Sequence, residues 1–185
     1  IAGASMSFLG QTSRLTARYG ADICFFLGPI NLVPVAQDVI RTGYAQEGMD
    51  DAYKSTMVRW VSDSQLVYCA AFMGACEREK PAAHIMMGGF WFESILLAEG
   101  GKAVGALTVG GTPRQGQIHF LVAICDYVLV GEEYYAAAAK ITNDPDDIAS
   151  IWGEDIYKMI LLFLLLAGSV LQALKIDWIK GILTL

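Results

Sequence analysis

Glu93 is the carboxylate with the most pointed surroundings in the chain. It lies in Phe90-Trp91-Phe92-Glu93-Ser94-Ile95-Leu96-Leu97, a setting that strips water from a charged side chain. A carboxyl so placed suits a general acid, or an acceptor for a ligand's donor. The bland alternative is a helix carboxylate that caps a helix or pairs with Arg or Lys. Asn31, Asp63, Thr112, Gln117, Glu132 and Glu133 stand in comparable places, just after apolar runs. With Glu93 they form the candidate ligand-binding set, gathered on one edge if those runs are parallel strands. Glu132 and Glu133 also suit the start of a helix, where negative charge is favoured without any function. Backbone N–H groups at helix starts hold anions, but the carboxylates here argue against a highly charged phosphate ligand.

High-specificity catalytic motifs are missing. The sequence holds no G-x-x-x-x-G-K-[ST], no G-x-G-x-x-G after a strand, no G-x-S-x-G and no H-E-x-x-H. Catalytic residues stay unassigned, and no cofactor is indicated. The four cysteines, Cys24, Cys69, Cys76 and Cys125, form no C-x-x-C pair. Cys69 and Cys76 fall seven apart on one predicted helix, about 10 Å along its axis, too far for a disulfide. Free thiols point to a reducing compartment. His84 falls in a predicted strand and His119 in a predicted helix, without ligand spacing between them, so no metal site is expected.

Five apolar, β-rich runs must position the candidate residues. They are Ile23–Leu27, Val58–Val61, His84–Met87, Val104–Val109 and Tyr127–Val130, ending in Gly28-Pro29, Ser62-Asp63, Gly88-Gly89, Gly110-Gly111-Thr112 and Gly131-Glu132. Each passes into a helix-like stretch, the rhythm of stacked βαβ units. The expected fold is α/β: a three-layer αβα sandwich around a mostly parallel, Rossmann-like sheet. Ile1–Tyr19 reads as a helix, and Pro34 opens a second one to about Gln46. Ser62…Gln65 and Thr112…Gln115 read as capping boxes. Gly100-Gly101 reads as a helix end, and Asn143–Asp147 as a turn that caps a following helix. Tyr134–Ala139 suits either plain helix propensity or close helix approach between subunits.

The last segment differs in kind. Met159–Leu171 is an apolar run in which Ser169 is the one polar residue, flanked by Trp152, Tyr157 and Lys158 before it and Lys175 and Trp178 after it. Aromatic belts and snorkelling lysines mark membrane-spanning helices. The expected lipid-facing set is Tyr157, Lys158, Leu161, Leu165, Leu171, Lys175 and Trp178. Roughly 16–19 residues reach about 24–29 Å, just short of a hydrocarbon core of about 30 Å. A buried C-terminal core helix is the alternative. The expected organisation is therefore an α/β domain over 1–150 and a membrane helix with a short tail over 151–185. Hydrophobic residues make up 55% of the 185 and charged residues 17%, which favours membrane association or burial between subunits. The net charge of −6 and the lack of a basic stripe argue against nucleic acid as a partner. The chain opens on Ile1 rather than Met, from which an upstream strand or membrane segment is expected.

Ile1-Ala2-Gly3, Arg78-Glu79-Lys80-Pro81-Ala82-Ala83, Glu93-Ser94-Ile95-Leu96-Leu97-Ala98-Glu99, Phe120–Tyr127 and Gly131-Glu132-Glu133-Tyr134 carry a resemblance. Through them the chain resembles an uncharacterised family of bacterial and archaeal membrane proteins carrying a domain of unknown function. The resemblance spans most of the chain, including the terminal apolar helix. It implies membrane attachment and further hydrophobic sequence upstream. It assigns no activity, so no functional residue carries over.

Two readings of function follow. In the first, a membrane-anchored α/β domain, on the cytoplasmic side, self-associates as a structural or scaffolding protein, with membrane lipid and either further copies or other membrane-complex subunits as partners. In the second, a membrane-bound enzyme or small-ligand receptor uses the C-terminal edge of the sheet.

Overall fold

The computed structural model describes residues 1–143 and 145–173. The chain divides into two compact units, Ile1–Thr142 and Asn143–Leu185. In the first, helices and strands alternate: α1 (Ala2–Tyr19), β1 (Phe25–Leu27), α2 (Val33–Gln46), β2 (Val58–Trp60), α3 (Gln65–Glu79), β3 (Ala83–Met87), α4 (Glu93–Ala103), β4 (Leu107–Thr112), α5 (Gln115–Ile124), β5 (Tyr127–Val130) and α6 (Glu133–Thr142). The fold is mixed α/β, with two short parallel sheets. One joins β1 to β2, with Phe25 opposite Val58 and Leu27 opposite Trp60. The other runs β3-β4-β5, with Met87 opposite Gly111 and Thr112 opposite Val130.

The pleat sends successive side chains to opposite faces, and the core follows it. Met86 joins Cys69, Phe72 and Cys76 of α3, Leu97 of α4 and Leu121 of α5, with Phe26 of β1 packed alongside. Met87 and Leu129 instead meet Phe8 of α1 and Tyr134 and Ala138 of α6. In β1 the neighbours of Phe26 turn the other way: Phe25 and Leu27 pack with Ala17 of α1, Ile40 and Tyr44 of α2, and Val58.

Glycines explain where the chain departs from its sequence pattern. Gly110 and Gly111 lie inside β4 instead of forming a turn after it, and the strand starts at Leu107. Gly105, at φ +78°, makes the bend between α4 and β4. Helices press close on both faces of β4. A Cβ on Gly110 would stand 3.0 Å from Cys125 Sγ, and one on Gly111 3.2 Å from Tyr134 Cδ2. Glycine in a strand interior commonly marks such close approach. Gly100 and Gly101 likewise do not end α4, which continues to Ala103. A Cβ on Gly100 would stand 3.1 Å from Met73 Cγ of α3.

The two capping boxes do not form. The helices begin at Gln65 and Gln115, with Ser64 and Arg114 at the cap positions and no side-chain cap bond. Ser62 Oγ instead accepts the Ser64 N–H at 3.0 Å, and Thr112 Oγ1 accepts the Arg114 N–H at 3.3 Å. These are hydroxyl turns one step ahead of each helix.

A side-chain clasp fixes β4 to the chain entering β5. Asp126 Oδ2 accepts from Thr108 N–H at 2.9 Å and from Thr108 Oγ1 at 3.0 Å. Lys102 donates to the other oxygen of that carboxylate. Lys102 first, then Thr108, holds the Asp126 carboxyl well below the usual range, at about 2. Thr108 is fully buried. Thr108→Val keeps the shape and removes the hydroxyl, so it should lower stability by about 1–2 kcal/mol. A urea midpoint equal to wild type would show that the clasp contributes nothing.

The second unit contains α7 (Pro145–Ala173), a helix of 29 residues, about 43 Å long at 1.5 Å per residue. Asn143, at φ +53°, precedes it, and Asp146 and Asp147 occupy its first turn, where their charge complements the helix dipole. By length and composition α7 can cross a membrane, and none of its apolar window is buried. Tyr157, Leu161 and Leu165 are exposed, Leu171 is partly exposed, and Lys158 pairs with Glu154 at 3.0 Å. Lys175 and Trp178 lie outside the described residues.

Candidate functional site

The loops that follow the strands carry the candidate residues, and most of those residues have structural work. Asp63 Oδ1 accepts the Ile30 N–H at 3.2 Å and the Trp60 Nε1–H at 3.3 Å. Trp60 Nε1 also donates to Gly28 O at 3.0 Å. Asp63 thus ties the loop after β1 to the loop after β2. Asn31 is exposed in the short turn Ile30–Leu32 before α2. At the far end, Glu133 Oε2 accepts the Val130 N–H at 3.1 Å. Glu132 is exposed, and its carbonyl accepts the N–H groups of Tyr135 and Ala136 at 3.0 Å. Glu133 opens α6 and Glu132 directly precedes it, as a helix start favours.

Glu93 and Gln117 lie in the first turns of α4 and α5, and Thr112 ends β4, the neighbour of β3. Thr112 is fully buried and turns its hydroxyl to the Arg114 N–H. Gln117 Oε1 accepts the Ser94 hydroxyl at 2.7 Å, which links the first turns of α4 and α5. Glu93 is buried, and its Oε2 is enclosed with no hydrogen-bond partner. It pairs with neither Arg114 nor a backbone N–H, the two structural roles that the sequence offered it. Its charge is felt on α3. Burial foremost, then Cys69 and Glu93, pushes the Tyr68 phenol far above its ordinary value. The Tyr68 hydroxyl donates to Phe26 O of β1 at 3.4 Å.

Arg114 was absent from the sequence-derived set. Its guanidinium carbon lies 4.0 Å from the centroid of the Trp91 ring, and its Nε is enclosed with no partner. A Cβ on Gly89 would stand 3.2 Å from that nitrogen, so the Gly88-Gly89 loop passes directly against it. One signal was available. Arg114 is the single Lys or Arg between Lys102 and Lys140, and it follows an apolar strand run.

The described residues include no group of three or more His, Cys, Asp or Glu able to hold a metal. All four cysteines are free, and burial pushes each of their thiols up. A depression along α2, lined by Asp38, Arg41, Thr42, Ala45, Gln46 and Asp50, is an open dip. Every one of those residues is exposed, and none of its polar atoms is buried without a partner. What the strand-end corner can do chemically is different. It holds one buried carboxylate oxygen, Glu93 Oε2, and one arginine nitrogen, Arg114 Nε, each enclosed without a partner, where an unmade hydrogen bond is costly.

Comparison with curated proteins gives no match, and comparison with solved structures gives none either. The profile of a domain of unknown function, DUF6754, matches residues 1–183, and the chain belongs to that family.

Proposed function

We propose that this chain is a membrane-anchored α/β module that self-associates as a structural or scaffolding protein. Helix α7 carries the reading. Met159, Ile160, Leu161, Leu162, Phe163, Leu164, Leu165 and Leu166 follow one another with their side chains exposed, so apolar surface covers every side of the helix. Burying such side chains contributes about 1.5–3 kcal/mol each, and lipid is the solvent that takes them all at once. Trp152 and Tyr157 suit the interfacial belt, and Lys158 can snorkel from it. Origin in a bacterial or archaeal membrane protein, with the α/β unit on the reducing, cytoplasmic side, belongs to the same proposal and is supported by the free thiols.

Two observations support the finer reading of the fold as a three-layer sandwich. Helix α1 contributes to the clusters under both sheets, through Ala17 to one and Phe8 to the other. Helix α3 packs against Phe26 of β1 and Met86 of β3 alike. Self-association is supported by large apolar side chains exposed at and just after the strand ends, namely Ile30, Trp60, Val61, Trp91 and Phe92.

Alkaline carbonate extraction of membranes tests the anchor. The intact chain should stay with the sedimented membrane, and its release with α7 uncleaved would overturn the reading. Native mass spectrometry from detergent should then show oligomers; monomers alone would remove the scaffold. A second reading, a small-ligand receptor or enzyme at the strand-end edge, is favoured by one observation: the unpartnered, buried carboxylate of Glu93.

A further inference from the structure

Among the described residues, β1 pairs only with β2 and β3 only with β4, so the two share no ladder. They approach each other less closely than the paired strands do, yet a helix spans them on each face. On one face the Phe72 ring of α3 stands between them, 5.4 Å from the Phe26 ring of β1 and 4.7 Å from the His84 ring of β3. On the other face α1 shares one cluster with Phe25 and Leu27, through Ala17, and another with Met87, through Phe8. β1 is the strand turned towards β3, since Phe26 joins Met86 in one cluster. The interval is a slot with a helix on either face and an unpaired strand edge on either side. Interior strands of a parallel sheet are buried on both faces. Here Phe25, Phe26 and Leu27 are all half-buried, and Ile85, in the middle of β3, is 48% exposed. The helix layers are also wide for five strands. α1 packs against both α2 and α6, and α4 against both α3 and α5. Three helices about 8–10 Å apart cover roughly six strands about 4.8 Å apart.

We infer that the slot seats a sixth strand, parallel to β1 and β3 and formed by the residues directly before Ile1. The inference goes beyond the anchor and the scaffold and does not depend on α7. Helix α1 identifies the occupant. Ile1 lies against the loop after β3, where a Cβ on Gly89 would stand 3.3 Å from Ile1 Cδ1. The helix therefore starts at the C-terminal edge of the sheet, where a strand in the slot would deliver the chain. From there α1 runs back past Met87 towards Phe25, and the chain enters β1. Slot strand, α1 and β1 make one βαβ unit. Its crossover has the same hand as the step from β3 over α4 to β4, because direction and face both reverse. The sheet then gains the doubly wound order, in which the chain starts at the centre and steps outwards first one way and then the other. The occupant has a definite chemistry: about 4–6 extended residues, apolar on both faces and without proline. Its ladders would satisfy the backbone groups that β1 and β3 leave unpaired on their facing edges.

The test uses the full chain in detergent micelles, once starting at Ile1 and once carrying the residues, about ten, encoded directly before it. Hydrogen–deuterium exchange is read on the backbone amides of Phe25–Leu27 and Ala83–Met87. The added residues should slow exchange in both strands, on the order of tenfold. A proline in the middle of the added segment cannot donate to a ladder and should remove most of that protection. Ile85→Cys supplies the second readout. Maleimide should label the new thiol in the shorter chain and spare it in the longer one, as intact mass reports. Where the shorter chain does not fold, the proline variant of the longer chain replaces it, and faster exchange at both strands than in the unsubstituted longer chain supports the slot. Exchange at both strands that neither the added residues nor the proline changes overturns the inference. Slowing at β3 alone means pairing at one edge, which overturns the slot. Protection of both strands in the shorter chain that grows with protein concentration means that a second copy fills the slot, which overturns the upstream segment as its occupant.

Discussion

Gly101→Ala should destabilise the α/β unit by about 2 kcal/mol or more, although alanine is the better helix former. Gly101 lies inside α4 and faces the sheet. A Cβ there would stand 2.6 Å from His84 Nδ1, 3.0 Å from His84 Cβ and 3.0 Å from Thr108 Cγ2. Those atoms belong to short side chains on paired strands, β3 and β4, and they cannot swing aside as the tip of a lysine would. The helix must lift from the sheet, or the strands must part. The gain in helix propensity, about 1 kcal/mol, recovers only part of that loss. Gly116 provides the opposite case. It lies in the first turn of α5, and a Cβ there would meet nothing within 4 Å. Gly116→Ala should therefore be neutral or stabilise by about 0.5–1 kcal/mol, chiefly by restricting the unfolded chain. Urea unfolding in a mild detergent, followed by far-UV circular dichroism, measures both variants. Equal midpoints for Gly101→Ala and wild type would refute the close packing of α4 on the sheet.

The same glycines show where sequence reasoning stops. A Gly-Gly pair after an apolar run reads locally as a turn, so the fourth strand was expected to end at Val109. In the fold Gly110 and Gly111 continue that strand, because helices on either side need the space that a side chain would fill. Only tertiary packing distinguishes the two uses of glycine. The apolar runs were legible because burial by helices selects them: Tyr127–Val130 and the body of His84–Met87 lie where the pattern put them. The division into β1-β2 and β3-β4-β5 was not legible, since strand pairing joins residues far apart in sequence. β1 also proves short. It pairs only over Phe25–Leu27, opposite the three residues of β2, so the apolar residues before Phe25 have no ladder to join. At the candidate site, the apolar neighbours of Glu93 correctly implied burial. They did not show that Glu93 would be left without a partner, because that depends on where the loop turns Arg114. The stack of Arg114 on Trp91 crosses two loops and has no signature in either one alone.

The stability of the unit should fall as the pH drops from about 6.5 towards 4, by an amount on the order of 3 kcal/mol, through His84. The imidazole packs 4.7 Å from the Phe72 ring, with Nδ1 enclosed and unpartnered. Burial pushes its pKa down from 6.5 to about 4. Between those values the unfolded chain takes up the proton and the folded protein does not. Falling pH therefore favours unfolding, and the full contribution of the neutral imidazole is present only above about pH 6.5. The acidic groups that the fold holds down act in a lower window. Asp126, at about 2 beside Lys102, and Glu47, lowered by Arg18 and Arg14, keep their contributions above the usual carboxylate range and lose them as the pH falls through and below it. The slope between about pH 6.5 and 5.5 thus isolates His84. Urea midpoints across that interval should decline in wild type and stay nearly level in His84→Leu, whatever the absolute stability of the variant. A flat wild-type profile, or an unchanged slope in His84→Leu, would show that the imidazole takes up its proton inside the fold. In that case Nδ1 has a partner in solution, and the close contact between Gly101 and His84 must be looser than the packing of α4 on β3 implies.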